Sequence, residues 1–250
     1  MNTASHYDVA IIGAGMSGLA AGIRLAHFGK KVVILEKHSL PGGLNSWYRR
    51  GGRQYDVGLH AITNFAPADK TSAPLNKLLR QLRLRREELD LCPQGFSTIE
   101  FPGVSLRFGN DFAEFEAAVA SAFPEEIDGF RRLVERIRTT DSLSLSASWE
   151  SARKLLAEYL RSPLLTDMIL EPVMYYGSAE PQDMDFNQFC IMFQSIFLEG
   201  FWRPAGGMRP LLERLVARYR ECGGELRMNT PVGLLRLRKD TVAEVVLESG

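Results

Sequence analysis

Apolar residues recur along this chain with two periods, and the switches between them mark out its elements. Residues 7–12 form an apolar run of strand length and predict a buried strand. Residues 17–29 change to helical spacing and stop on a glycine, and residues 31–35 are apolar again, predicting a second strand. Residues 47–50 and 53–55 flank Gly51-Gly52, a two-residue connection suited to a primed hairpin turn. Beyond about residue 65 helical patterns dominate. A helix is predicted over 74–84, then strands over 95–101 and 104–108 joined at Pro102-Gly103. Asp111 with Glu114 opens a helix running to Ala122, and Pro124-Glu125-Glu126 opens one running to about Thr139. Further helices are expected over 149–161, 163–175 and 186–199, the last started by Asp185. After Gly206-Gly207-Met208 comes an amphipathic helix with Leu211, Leu212, Leu215, Val216 and Tyr219 on one face. Gly223-Gly224 ends it, and strands follow over 225–229, 232–238 and 242–247, with Lys239-Asp240 at a hairpin turn.

The junction between the first strand and the first helix carries chemistry. It reads Gly13, Ala14, Gly15, Met16, Ser17, Gly18. Gly13 permits a tight turn, Gly15 lets backbone approach a diphosphate, and Gly18 lets helix pack closely on strand. The start of the helix then offers unpaired N–H donors and the positive end of its dipole to phosphate. Glu36 closes the second strand about 20 residues on, where a carboxylate accepts ribose hydroxyls. A packing turn explains the glycines but not Glu36. The combination predicts a dinucleotide site, and Glu36 disfavours a 2′-phosphate, since two anions would meet there. NAD and FAD remain. Past Lys37, the stretch Gly42, Gly43, Leu44, Asn45 supplies a second backbone loop able to pass close to a phosphate. A simple NAD-binding unit has no need of that loop.

In this order of motifs the sequence resembles the FAD-dependent superfamily of amine oxidases, phytoene desaturases and Rab GDP-dissociation inhibitors. Many members carry Arg after the double glycine where this chain has Leu44, which leaves the diphosphate charge to backbone N–H groups and a later basic residue. The run Tyr55-Asp56-Val57-Gly58-Leu59-His60 is similar to the carotenoid isomerase, retinol saturase and phytoene desaturase branch. The resemblance implies that backbone around Gly58 approaches the flavin and that His60 lies near the isoalloxazine or the substrate entrance. A hydrogen-bonded structural histidine is the alternative for His60. It also implies that Val232, after the helix and double glycine, holds adenine through its backbone; the alternative is an ordinary buried strand valine. The implied fold is α/β: a Rossmann-like FAD-binding domain of the two-dinucleotide-binding-domain flavoprotein type with an inserted, mostly helical substrate domain. Residues 1–65 would be the first part of the FAD domain, 66–204 the insertion, and 205–250 the return. The resemblance covers only the front half of the family pattern, so a truncated product is expected.

The implied function is FAD-dependent oxidation, reduction or isomerisation of carbon–carbon bonds in a polyene isoprenoid, by hydride transfer at flavin N5. Two alternatives stay open: an amine oxidase-type flavoenzyme, and a non-catalytic isoprenoid-binding relative of the GDP-dissociation inhibitors. No paired-carboxylate, nucleophile-elbow or metal spacing points to another chemistry, and no side chain other than His60 is a candidate catalytic group. Phe186, Phe189, Phe193, Phe197, Phe201 and Trp202 are candidates for the wall of an apolar tunnel, with plain core as the alternative.

Composition narrows the partners. The 250 residues carry 30 basic and 30 acidic side chains, so nothing favours nucleic acid. Arg80, Arg83, Arg85 and Arg86, followed by Glu87 and Glu88, read as a solvated face. Cys92, Cys190 and Cys222 are far apart, which predicts reduced thiols and a cytoplasmic setting. No 18-residue apolar run exists to span a bilayer. Residues 189–198 are the most lipid-like, and peripheral membrane docking is the alternative to a core role there. The expected ligand besides FAD is a lipophilic small molecule.

Overall fold

The computed structural model describes residues 5–58, 61–63, 68–144, 146–175 and 177–249. In chain order the elements are β1 (Val9–Ile12), α1 (Met16–His27), β2 (Val32–Leu35), β3 (Trp47–Arg50), β4 (Arg53–Asp56), α2 (Pro74–Leu82), β5 (Leu91–Pro93), β6 (Ser97–Phe101) and β7 (Val104–Phe108). They continue with α3 (Phe112–Ala122), α4 (Ile127–Thr139), α5 (Ala152–Tyr159), α6 (Pro163–Met174) and α7 (Phe186–Phe193). Last come β8 (Trp202–Pro204), α8 (Arg209–Glu221), β9 (Glu225–Arg227), β10 (Val232–Arg238) and β11 (Thr241–Leu247). Short 3-10 turns lie at Gly43–Asn45 and Arg86–Leu89, and a π turn at Gln194–Leu198 continues α7.

The chain forms two compact units, one of residues 1–61, 68–92 and 203–250, the other of 62–67 and 93–202. Residues 68–92 therefore pack with the first unit, whereas the sequence pattern had placed them in the helical insertion. Helical spacing is the same in either unit, and only tertiary contacts assign it. Arg24 Nη1 donates to the Gln81 carbonyl, Arg218 Nε donates to the Leu82 carbonyl, and Arg214 holds Glu88 at 2.7 Å.

The first unit is built on a parallel sheet in the order β1–β2–β9. Val9 pairs with Val32 and Val33 with Glu225, both in parallel, and α1 is the crossover that a parallel pair requires. All of β2 is buried. The expectation of a buried first strand needs correcting: β1 is an edge strand among the described residues, its exposure alternates, and Ile12 is 57% exposed. Sequence composition reads a strand's apolarity, whereas burial depends on neighbours on both edges. Under the sheet, Tyr219 of α8 is fully buried and its hydroxyl lies 2.9 Å from the Val32 carbonyl and 3.1 Å from that of Glu225. Burial pushes its phenol up to about 12. A Cβ on Gly22 would come within 2.9 Å of both Ile34 and Tyr219, so α1 touches strand and helix only because that residue is glycine. The β3–β4 hairpin turns through Gly51 and Gly52, both at positive φ, as a primed turn requires.

The second unit packs α3–α7 around the β6–β7 hairpin. Helices α3, α6 and α7 start at the predicted positions, whereas α4 starts at Ile127 and α5 at Ala152, each about three residues after its expected start. Asp111, Ser151, Ser162 and Asp185 each accept a first-turn backbone N–H. Asp183 takes the Ser151 hydroxyl and the N–H groups of Arg153 and Met184, and these partners outweigh its desolvation and hold its carboxyl below the usual range. Of the two readings of the aromatic stripe, core is the one the packing shows. Phe186, Phe189, Phe193 and Phe197 are buried, and Phe197 stacks on Phe115 with centroids 4.4 Å apart. Phe201 packs on the same cluster, and Trp202 is half-buried with its backbone bridged to Ile62. Their spacing puts one helical face into the unit's interior, where neighbouring rings fill the volume.

Candidate functional site

The loop between β1 and α1 has the geometry that its glycines require. Gly13 stands at φ +102°, and its N–H donates to the Leu35 carbonyl at 2.8 Å. A Cβ on Gly18 would sit 2.2 Å from the Gly13 carbonyl oxygen, so the helix seats against the loop only without one. Gly13 and Gly15 behave differently: a Cβ on either would meet nothing within 4 Å. Their missing side chains leave an open cradle, not a packed turn. Gly15 is the N-cap of α1, with no side-chain cap and no acidic residue in the first turn. An α-helix cannot pair its own first N–H groups, so those of half-buried Met16 and exposed Ser17 stand at the cradle mouth. Anion binding at such a helix start follows from those donors and the dipole.

Glu36 is 5% exposed, and both carboxylate oxygens are engaged. The Ala14 N–H donates to Oε2 at 2.7 Å and the His38 N–H to Oε1 at 2.9 Å. A carboxylate has about four acceptor positions, so two remain for other donors. The Glu36 backbone is fixed as well: its N–H donates to Arg227, and its carbonyl accepts from Thr230 at 2.8 Å. Asn229, in the left-handed region at φ +51°, donates to the His38 carbonyl. The segment leading to half-buried Val232 therefore lies beside Glu36, although 196 positions separate the two in sequence. Lys37 points to solvent.

The second glycine turn lies against the first. Gly42 donates to the Ala14 carbonyl at 2.8 Å and forms a parallel bridge with Gly15. A Cβ on Gly43 would be 3.6 Å from the Gly15 Cα. Gly42 and Gly43 have φ of +112° and +56°, and the Asn45 N–H closes the turn on the Gly42 carbonyl. Leu44 is 83% exposed. Gly58 packs on this turn so closely that a Cβ would lie 2.4 Å from the Leu44 carbonyl oxygen. Leu59 and His60 lie outside the described residues. The structure thus gathers Gly13, Ala14, Gly15, Met16, Ser17, Gly18, Glu36, Gly42, Gly43, Leu44, Asn45 and Gly58 around one cradle.

Sequence reading passed over two groups here. Asp56, its side chain 5% exposed, binds Arg203 at 2.7 Å and lies beside Gly207. Leu212 lies against Gly42, where a Cβ would come 2.7 Å from its Cδ1. Asp56 sat in plain view in the run to His60, but its partner is 147 residues away. Two open clefts of about 410 and 440 Å³ lie in the second unit, one lined by Trp149, Gln188, Ile191 and Met192, the other by Arg153, Glu171 and Tyr175. Neither includes a residue of the glycine cradle.

A family described as flavin-containing amine oxidoreductase matches residues 16–250. The chain is 30% identical over 168 residues to prolycopene isomerase 2, chloroplastic, from an Oncidium hybrid cultivar, covering 64% of this chain and 28% of that protein. It is 24% identical to the lycopene-forming phytoene desaturase of Pantoea ananas, covering 96% of this chain and 52% of that one. Among solved structures, an oxidoreductase from Methanosarcina mazei superposes with a TM-score of 0.74 at 16% identity, over 96% of this chain and 56% of that one. The chain thus spans between about a quarter and half of the curated relatives' length.

Proposed function

The chain belongs to the flavin-containing amine oxidoreductase family, and from that premise we propose an FAD-dependent oxidoreductase that acts on carbon–carbon bonds of a polyene isoprenoid. FAD is the cofactor that goes with the family. The residues present fit it, because Gly13 and Gly15 face open space, with nothing within 4 Å of where a Cβ would stand, so backbone is free to face a diphosphate there. When bound, FAD supplies a two-electron centre at N5 that takes or gives a hydride. In this reading the Met16 and Ser17 N–H groups bind the diphosphate, and the two free acceptor positions of Glu36 take ribose hydroxyls. Gly42–Asn45 runs along the diphosphate, Gly58 borders the flavin, and Val232 meets the adenine through its backbone. His60 remains the candidate for the flavin edge. The first unit serves as the FAD domain and the second as the substrate domain.

The observation that carries this reading is the pairing of two glycine turns, edge to edge, with a buried carboxylate behind them. A one-turn nucleotide site has no use for the second. The isoprenoid substrate is supported by the kinship with a prolycopene isomerase and a phytoene desaturase. Among the described residues no helix is long and apolar enough to cross a membrane. Peripheral docking on a bilayer is the route proposed for a lipophilic substrate. Anaerobic mixing of the flavin-loaded protein with candidate carotenoids, followed by flavin absorbance, tests the substrate class. Reduction of the oxidised flavin by a polyene that loses hydrogen, or re-oxidation of the reduced flavin by one that gains it, is the expected result, with no peroxide formed from amines in a parallel assay in air. Peroxide from amines without polyene turnover would replace this reading with an amine oxidase.

A further inference from the structure

We propose that Asp56 is a positioning residue for the flavin half of the cofactor site, acting through a closed ring of contacts that leaves the adenosine half alone. The proposal rests on the FAD reading above and adds a residue and a division of labour to it. Asp56 is the last residue of β4, and its carboxylate is almost fully buried. It receives Arg203 Nη2 at 2.7 Å and the N–H of Met208, the N-cap of α8, at 3.4 Å. The backbone curls round it: Gly206 and Gly207 have φ of +80° and +88°. A Cβ on Gly207 would stand 3.0 Å from Asp56 Oδ2 and 3.1 Å from Arg203 Nη2. This turn is shaped to the carboxylate, and a buried carboxylate needs such partners.

From Asp56 the contacts run in two directions. Along the chain, the Val57 N–H donates to the Ser46 carbonyl at 2.9 Å and Gly58 packs on the Leu44 carbonyl, so both hold the second glycine turn. Through Met208 they enter α8, and Leu212, on the next turn of that helix, abuts Gly42. The ring closes on the same turn that faces Gly15. That turn meets the first loop where the Gly42 N–H donates to the Ala14 carbonyl and Gly42 bridges Gly15, and among the described contacts the ring does not reach Ser17 or the Glu36 carboxylate. Asp56 thus fixes the outer turn, where the cofactor must pass from diphosphate towards flavin.

The test compares ADP with FAD by titration calorimetry in the wild-type protein, D56N and R203A, with R203K as the conservative control. Arg203 is half-exposed, so R203A breaks the pair from the solvent side even if D56N fails to fold. Wild type is expected to hold FAD more tightly than ADP. D56N and R203A should weaken FAD at least tenfold and ADP, which meets the same turn only through its diphosphate, by a clearly smaller factor, and R203K should recover most of the loss. The fluorescence anisotropy of bound flavin should fall in the same two variants. Equal weakening of ADP and FAD, or unchanged FAD binding, would overturn the proposal. A wild-type protein that binds ADP and FAD alike would also overturn it while the nucleotide site stands. Binding of neither would remove the FAD reading and this proposal with it.

Discussion

Removing the Glu36 carboxylate separates bracing the glycine turn from holding a ribose. In E36A, the N–H of Ala14, a fully buried residue, loses its acceptor, while that of His38 turns to water because His38 is exposed. One orphaned buried donor costs about 1–3 kcal/mol, so the variant should lose that much stability in urea unfolding. The ligand effect is a separate quantity. A hydroxyl donating to a carboxylate is worth about 1.5–3 kcal/mol, which is roughly tenfold to a hundredfold in affinity. Calorimetric titration with ADP and with 2′,3′-dideoxy-ADP, under conditions where both proteins are folded, isolates that term. ADP should weaken by that factor in E36A, whereas the dideoxy analogue, lacking the hydroxyls, should weaken far less. E36Q keeps one acceptor and should fall between for stability. Equal losses for the two ligands, or lost stability with unchanged ADP affinity, would show that Glu36 only braces the turn.

Other perturbations follow from the same contacts. G18A forces a Cβ to within 2.2 Å of the Gly13 carbonyl oxygen, and overpacking of this kind costs about 1–3 kcal/mol. It should lower Tm and nucleotide affinity together, and loss of neither would mean that helix and loop are not seated as described. F197A removes a ring stacked on Phe115 in the second unit and should cost about 3–5 kcal/mol in chemical unfolding. A cost near zero would restore the tunnel reading. Arg214, and after it Arg85, hold the Glu88 carboxyl down to about 2. Their stabilisation is complete above the ordinary carboxylate value near 4.5 and is lost as pH falls from there towards 2. Water reaches the pair, so the loss should be about 1 kcal/mol. It should vanish from the acid unfolding curve of E88Q, and an unchanged curve would remove Glu88 from the acid response.

What the sequence displayed depended on how local the cause was. Gly13, Gly18, Gly42 and the Gly51-Gly52 turn were legible because positive φ or a missing Cβ is a property of the residue itself. The caps at Asp111 and Asp185 were legible for the same reason, each binding an N–H two residues on. Glu36 was legible as a ribose partner, but its two backbone donors were not, since they depend on how the loop closes. Exposure of Ile12 was hidden, because a strand's neighbours are chosen elsewhere in the chain. The Phe186–Phe197 stripe showed its spacing, while only packing shows whether rings or space face it. Arg203 carried no local mark at all, being defined by a carboxylate far back in the sequence.

The central claim is that two backbone turns hold the diphosphate of FAD, and a crystal structure of the protein soaked with FAD tests it most directly. Density for the diphosphate should lie within hydrogen-bonding distance of the Met16 and Ser17 N–H groups, between Gly15 and Gly43, with the ribose on Glu36. Nucleotide density elsewhere, or a cradle into which side chains have closed, would contradict the account.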